Sequence, residues 1–381
     1  MSDFQPPARL RGIEKSVIRQ LFDRARPNSI NLGLGEPDLP TPEVIRRAAI
    51  DIIAREQNGY TSHAGLPLLR ERIAADNQRI SAASPERVII TAGSQEALYL
   101  ALMTLVEEGD EVLLPDPGFV AYPTIVRMAG GKSVFYKLPA ARDFSFDIED
   151  FRRRVTPRTK VVVAISPSNP TGRTLSANDL SLMADALSNS SAFVISDEIY
   201  RELYYGQDEQ RPASMSEHYE RTIVISGLSK SMSMTGWRLG WMCGDEAVIK
   251  SSLVLHGYVT TCASTVSQKA ALAAWTDEAE AARREHRRIF RERRDYLLEL
   301  IRSRLDLKAV TPDGAFYTMV DVSRYGSSIE VAEAMLAQGV ITVPGSAFGK
   351  EGEGHLRISF CAELPALAEG VRRMGEALAG F

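Results

Sequence analysis

The chain has 381 residues, 44% hydrophobic and 25% charged, which is ordinary for a globular protein and long enough for two domains or one large domain with a satellite. Its formal net charge of −4 gives no reason to expect nucleic acid or an anionic membrane as a partner, and no apolar run approaches the span of a bilayer. Three cysteines (Cys243, Cys262, Cys361) without CxxC spacing argue against a disulfide scaffold or a zinc site and favour a reducing compartment.

The first residues, Met1-Ser2-Asp3-Phe4-Gln5-Pro6-Pro7, lack the charged-then-apolar pattern of a leader, so a soluble, cytoplasmic protein is expected. Residues to about 30 read as a polar arm with one short helix. Thr41 before Pro42 reads as a helix start with proline in the first turn. From there the chain alternates. Apolar strand candidates are Arg87–Ile90, Glu111–Leu114, Ser133–Tyr136, Val161–Ile165, Phe193–Ile195 and Thr222–Ile225, with helices such as Gln95–Val106 and Ala177–Ala186 between many of them. Several strands are continuous apolar runs, as in a sheet buried on both faces, so the pattern predicts an α/β fold with a mainly parallel sheet.

A second region opens near residue 276 with a long charged helix from Glu278 to about Arg304. Its run Arg283-Arg284-Glu285-His286-Arg287-Arg288 reads as a solvated face. A strand at Ala315–Val320, a helix near Glu330–Gln338, a strand at Gly354–Ser359 and a final helix then predict a smaller α+β domain.

Chemically suggestive residues recur just after the apolar strands, where ligands bind in open α/β sheets. Gly93-Ser94-Gln95 follows Val88–Thr91 and opens a helix, a place for an anion or for a simple cap at Ser94. Asp116–Pro123 follows the next strand and carries Phe119, an aromatic suited either to stacking or to the core. Ser168-Asn169-Pro170-Thr171-Gly172 follows Val161–Ser166 and would turn by itself. Asp197-Glu198-Ile199-Tyr200 follows Phe193–Ser196. An acidic pair there also suits a magnesium site of a nucleotide hydrolase. That reading needs a phosphate loop; Gly130-Gly131-Lys132-Ser133 ends like one, but position 126 is valine where glycine is required. Finally Thr222–Ile225 runs into Gly227-Leu228-Ser229-Lys230-Ser231-Met232-Ser233-Met234-Thr235-Gly236-Trp237-Arg238-Leu239-Gly240. A partly desolvated lysine is a nucleophile, and an arginine eight residues on suits a phosphate. Arg357, inside the apolar strand His355–Phe360, wants an anionic partner: a domain salt bridge or a substrate carboxylate.

The Lys230 segment resembles the lysine signature of class I and II pyridoxal-phosphate aminotransferases of fold type I, and matching segments run from about Asn31 to Phe360. The resemblance implies a large cofactor-binding domain (41–275), a small carboxyl-terminal domain (276–381) and an amino-terminal arm (1–40) that packs with the small domain. It implies that Lys230 holds pyridoxal 5′-phosphate as a Schiff base and later moves the proton. The implied phosphate contacts are Gly93, Ser94, Gln95 and Arg238, with Ser229 or Ser226 replacing a serine often found where this chain has Gly227. Phe119 would stack on the ring, Asp197 would keep the pyridine nitrogen protonated, and Asn169 and Tyr200 would contact the phenolic oxygen. Arg357, Asn169 and the backbone of Gly35 would take the substrate carboxylate. Tyr60, in Tyr60–Leu66, would reach the phosphate of the neighbouring subunit, giving a homodimer with shared active sites.

The implied reaction moves an amino group from an L-amino acid, with aspartate, aromatic or other neutral donors as candidates, to a 2-oxo acid such as 2-oxoglutarate. The alternative on the same fold is a carbon–sulfur β-lyase, which shares the chemistry up to the carbanion. A DNA-binding regulator is disfavoured by the short arm. No second arginine for an acidic side chain is identifiable; Arg26 and His256 are the unplaced candidates.

Overall fold

The computed structural model describes residue 7 and residues 10–55, 58–77, 84–206 and 210–381. Residues 1–6, most of the segment read above for a leader, lie outside the described residues. The central element is a seven-stranded sheet of β2 (Val88–Thr91), β3 (Glu111–Asp116), β4 (Lys132–Lys137), β5 (Thr159–Ile165), β6 (Phe193–Asp197), β7 (Thr222–Gly227) and β8 (Gly240–Cys243), in the order β2-β8-β7-β6-β5-β3-β4. Neighbours pair in parallel except β8, which is antiparallel to both β7 and β2. Because β8 reverses twice, β2 again points the same way as β7. Six strands therefore end on one edge of the sheet, and the fold is α/β with a mainly parallel sheet, as the alternation of apolar runs predicts.

Every residue of β2, β3 and β8 is buried, and β5, β6 and β7 nearly so, because helices cover both faces. The edge strand β4 instead exposes Lys132, Phe135 and Lys137, and its lysines discourage pairing with another chain. Helix starts follow the sequence where the cap is local: Ser176 and Ser327 form capping boxes with Asp179 and Glu330. They depart from it at Thr41. Pro42 occupies the cap position of the helix Glu43–Ala54, while the Thr41 hydroxyl donates to Ser233 O at 2.8 Å and accepts from Trp237 Nε1 at 3.2 Å. The loop carrying Lys230 has taken the hydroxyl that would otherwise cap the helix.

A three-stranded antiparallel sheet, β11 (Val343–Pro344), β12 (His355–Ser359) and β9 (Tyr317–Asp321), forms the carboxyl-terminal region with the helices Asp277–Leu300, Ser328–Ala337 and Leu364–Leu378. The arm joins this region: β1 (Ile30–Asn31) pairs in parallel with β10 (Val340–Ile341). Leu203, Tyr205, Phe290, Phe316 and Phe360 carry one continuous core between the two sheets. The basic run on the long helix is not a uniform solvated face. Arg284 and Arg288 are exposed, but His286 is buried, and Arg283 and Arg287 are mostly covered while paired to Glu280. The helix packs against the body on that side, so the spacing of charges alone misreads it.

Candidate active site

The strand ends converge on a cavity of about 300 Å³ lined by Gly35, Ser94, Gln95, Phe119, Asn169, Asp197, Tyr200, Ser229, Lys230, Arg238 and Arg357 among others. Gly93 adjoins it through Arg238. Its φ of +89° is open to glycine at little cost, and a Cβ there would lie 2.3 Å from Arg238 Nη2. The missing side chain lets the guanidinium stand over the start of the helix Ser94–Leu105, where it donates to Ala92 O at 3.2 Å and Thr235 O at 3.0 Å. The helix cap is Gly93 rather than Ser94, so the Ser94 hydroxyl is not committed to capping. Backbone N–H groups, a hydroxyl and an arginine thus meet at one place, the donor set of a phosphate site.

Lys230 follows β7 and donates from Nζ to the carbonyl of Gly35 at 2.7 Å. Burial pushes its pKa below the ordinary lysine value. Gly227 leaves no room for the serine often seen there: a Cβ would meet Leu239 O at 2.9 Å and Gly240 Cα at 3.1 Å, across the β7–β8 pair. Of the two candidate replacements, Ser226 donates to Glu198 O at 3.2 Å, outside the cavity, whereas Ser229 lines it.

Asp197 ends β6 and is buried. Its carboxylate accepts from the Tyr122 hydroxyl at 2.8 Å and from Ile199 N at 3.3 Å. Burial pushes its pKa up to about 6, with those two hydrogen bonds pulling the other way. Among the described residues no arginine or lysine stands within ion-pairing distance of it. A buried carboxylate without a cation is costly unless a bound group supplies one.

Arg357, only 3% exposed, presents the mirror image. Nη1 donates to Asn169 Oδ1 at 2.9 Å and Nη2 to the carbonyl of Gly33, yet Nε has no partner and no carboxylate pairs with the guanidinium among the described residues. Its Cζ stands over the ring of Tyr317 (4.4 Å to the centroid) and over that of Phe348 (4.8 Å). With Oδ1 occupied, Asn169 keeps its amide N–H groups as donors toward the cavity. Tyr200 exchanges a hydrogen bond of 3.0 Å with the Tyr317 hydroxyl.

Tyr60 lies elsewhere, 88% exposed and outside the cavity. Neither unplaced cation enters the site. Arg26 is exposed, and His256 is fully buried with Nδ1 2.9 Å from Glu96. The cations that line the cavity among the described residues are Lys230, Arg238 and Arg357. Sequence reasoning missed Tyr122, Tyr317, Phe348 and Thr235. A tyrosine inside a largely buried strand such as β9 was the available signal, because a buried hydroxyl needs a partner.

The sequence model of the class I and II aminotransferases matches residues 27–372 of this chain. The chain is 34% identical to a probable aspartate aminotransferase of Methanocaldococcus jannaschii, over 93% of this chain and 95% of that one. It is 36% identical to aromatic-amino-acid aminotransferase 2 of Thermococcus litoralis, over 97% of each. Among solved structures, the aspartate aminotransferase of Thermus thermophilus with maleate superposes with a TM-score of 0.92 at 33% identity, covering 98% of this chain and all of that one.

Proposed function

The chain belongs to the class I and II aminotransferases and is a pyridoxal-phosphate-dependent transferase of amino groups. From that premise we propose that the cavity around Lys230 binds the cofactor and an L-amino acid together, with 2-oxoglutarate as the second substrate. One observation carries this reading: a desolvated amine, a buried carboxylate without a cation and a buried guanidinium without an anion line the same 300 Å³ cavity. The donor set fits the cofactor. Arg238 and the helix start at Gly93-Ser94-Gln95 suit its phosphate, with Ser229 beside them, and Phe119 borders the space for its ring.

When bound, pyridoxal phosphate supplies a carbonyl carbon open to attack by amines and a protonated ring that takes up the electrons left when the substrate Cα–H bond breaks. The remaining roles fall to the chain. Asp197 keeps the ring nitrogen protonated. Asn169 and Tyr200 donate hydrogen bonds toward the ring oxygen. Arg357 takes the α-carboxylate in two parallel bonds, with Asn169 and the backbone at Gly35 beside it. Lys230 would hold the cofactor through its amine and would carry the proton taken from the substrate Cα.

Absorption spectroscopy tests this reading. Single L-amino acids are expected to convert the cofactor's visible band, and 2-oxoglutarate to restore it. Ammonia accumulating while the band persists would mean a lyase instead. Aspartate and aromatic amino acids are the donors to try first, because relatives bear those names.

We further read the arm (1–40) and residues 276–381 as one unit beside the body 41–275, supported by the β1–β10 pairing and by Asp38, which binds Arg293 through both carboxylate oxygens at 2.6 and 3.0 Å. No described helix is long and apolar enough to cross a membrane, and the three free cysteines suit the cytoplasm. The proposed assembly is a homodimer. Val254, Tyr258 and Val259 leave an apolar face exposed on the helix Glu246–Val259, and Tyr60 stands exposed for a neighbour's phosphate. Sedimentation should give a dimer, and Val254→Arg with Tyr258→Glu should yield monomers that lose cofactor. A wild-type monomer with full activity would refute the shared site.

A further inference from the structure

Tyr317, given no role above, touches Arg357, Tyr200 and the Gly35 backbone. It follows Phe316 as the first residue of β9, opposite Ser359 of β12, and it is 1% exposed. The ring lies 4.4 Å beneath the Arg357 guanidinium. Its hydroxyl is 3.0 Å from the Tyr200 hydroxyl, with the two rings edge to face at 5.8 Å. The same hydroxyl fills the space where residue 35 would carry a side chain: a Cβ on Gly35 would stand 1.7 Å from it. Gly35 in turn accepts from Lys230 Nζ at 2.7 Å.

Two physical consequences follow. Among the described residues no carboxylate fixes Arg357, so it is held by the rings of Tyr317 and Phe348 and by its bonds to Asn169 and Gly33. A guanidinium held flat and desolvated meets a carboxylate without first surrendering freedom. The second concerns a proton. Tyr200 has one O–H. If it donates to Tyr317, it cannot donate into the cavity; if Tyr317 donates to it, the Tyr200 proton is free to point inward, and hydrogen bonds aligned in one direction strengthen each other.

We propose that Tyr317 is a positioning residue with two separable duties: its ring orients Arg357 for the substrate carboxylate, and its hydroxyl directs the Tyr200 O–H toward the cofactor's ring oxygen. This rests on the roles proposed for Arg357 and Tyr200.

The test compares Tyr317→Phe and Tyr317→Leu in cofactor-loaded protein. Phe keeps the ring and removes the hydroxyl. Its KM for the amino acid should stay within about 2-fold of wild type, while the pH midpoint of the cofactor's visible absorption change should rise by roughly 0.5 to 1, the worth of one lost hydrogen bond. The direction is upward because a less stabilised negative oxygen holds nearby protons more tightly. Leu removes both, so the same midpoint shift should come with a KM about 10-fold higher, the size of a lost desolvated cation–π contact. A Phe midpoint equal to wild type refutes the hydroxyl's duty. A KM that rises as much in Phe as in Leu, or in neither, refutes the ring's. Should Leu fail to fold, the Phe pair of readouts still decides the hydroxyl half, and Phe348→Leu, which removes the second ring against Arg357, decides whether aromatic contacts set KM. If wild-type protein shows no band that amino acids convert, the underlying site reading fails, and that outcome is visible before any variant is made.

Discussion

Lys230→Ala is expected to lower turnover by about 10⁴-fold or more, the largest effect of any single change in this molecule. The argument starts from the strand. β7 is buried except for the half-buried Ser226, and the chain leaves it through Gly227-Leu228-Ser229, which deliver Lys230 into the cavity. There the amine loses most of its water, which favours its neutral, nucleophilic form over the ammonium. Among the described residues its hydrogen bond is to a neutral carbonyl, that of Gly35, rather than to a carboxylate that would hold the proton in place. An amine so placed can attack carbon and later accept a proton, and alanine can do neither. The phosphate contacts proposed at Arg238 and the helix start do not involve the lysine, so cofactor should still bind the variant. Borohydride should fix cofactor to the wild-type chain at the peptide holding Lys230 and should fail to do so in the variant. Turnover within 10-fold of wild type would mean that another group moves the proton.

How much of this was legible beforehand depends on where each constraint lives. The strands β3, β5, β6 and β7 are continuous apolar runs, and a residue's distance from such a run places it at the sheet's ligand-binding edge. Asp197, Asn169 and Lys230 were readable for that reason. β8 was not: Gly240-Trp241-Met242-Cys243 is short, and only its pairing between β2 and β7 makes it a strand. Tyr122 and Tyr317 look like core aromatics in their own segments. Their hydroxyls acquire meaning from partners 75 and 117 residues away, which no local pattern encodes. Thr41 and the Arg283–Arg288 run failed in the opposite way. Local rules predict a cap and a solvated face, and tertiary contacts of Thr41 with Ser233 and Trp237, and of Arg287 with Glu202 and Tyr204, override them. Gly227 shows the same logic in the site itself: the cross-strand fit to Gly240 excludes the expected serine, and Ser229 is the hydroxyl that remains at the cavity.

Asp197→Ala is expected to cost at least about 10³-fold in turnover while leaving cofactor bound, because a charge that stabilises electrons in the ring is lost and the phosphate contacts are not. Asp197→Asn separates charge from shape, since the amide still accepts from Tyr122, and it should be nearly as slow. The pH dependence follows with a definite sign. Burial raises the folded pKa to about 6, against about 4 for an exposed carboxyl. Between those values the folded, cofactor-free chain holds a proton that the unfolded chain has released. Its stability therefore falls as pH rises through that window, and above it the fold carries the cost of an unpaired buried charge. A protonated ring nitrogen supplies the missing positive partner, so cofactor should raise the melting temperature more at pH 8 than at pH 5. Asp197→Asn has no charge to desolvate and should lose that pH-dependent difference. Thermal melts of wild type and variant, with and without cofactor at the two pH values, measure it directly. If the cofactor's stabilisation is the same at both pH values in wild type, or if Asp197→Ala turns over within 10-fold of it, the ring nitrogen has a different partner.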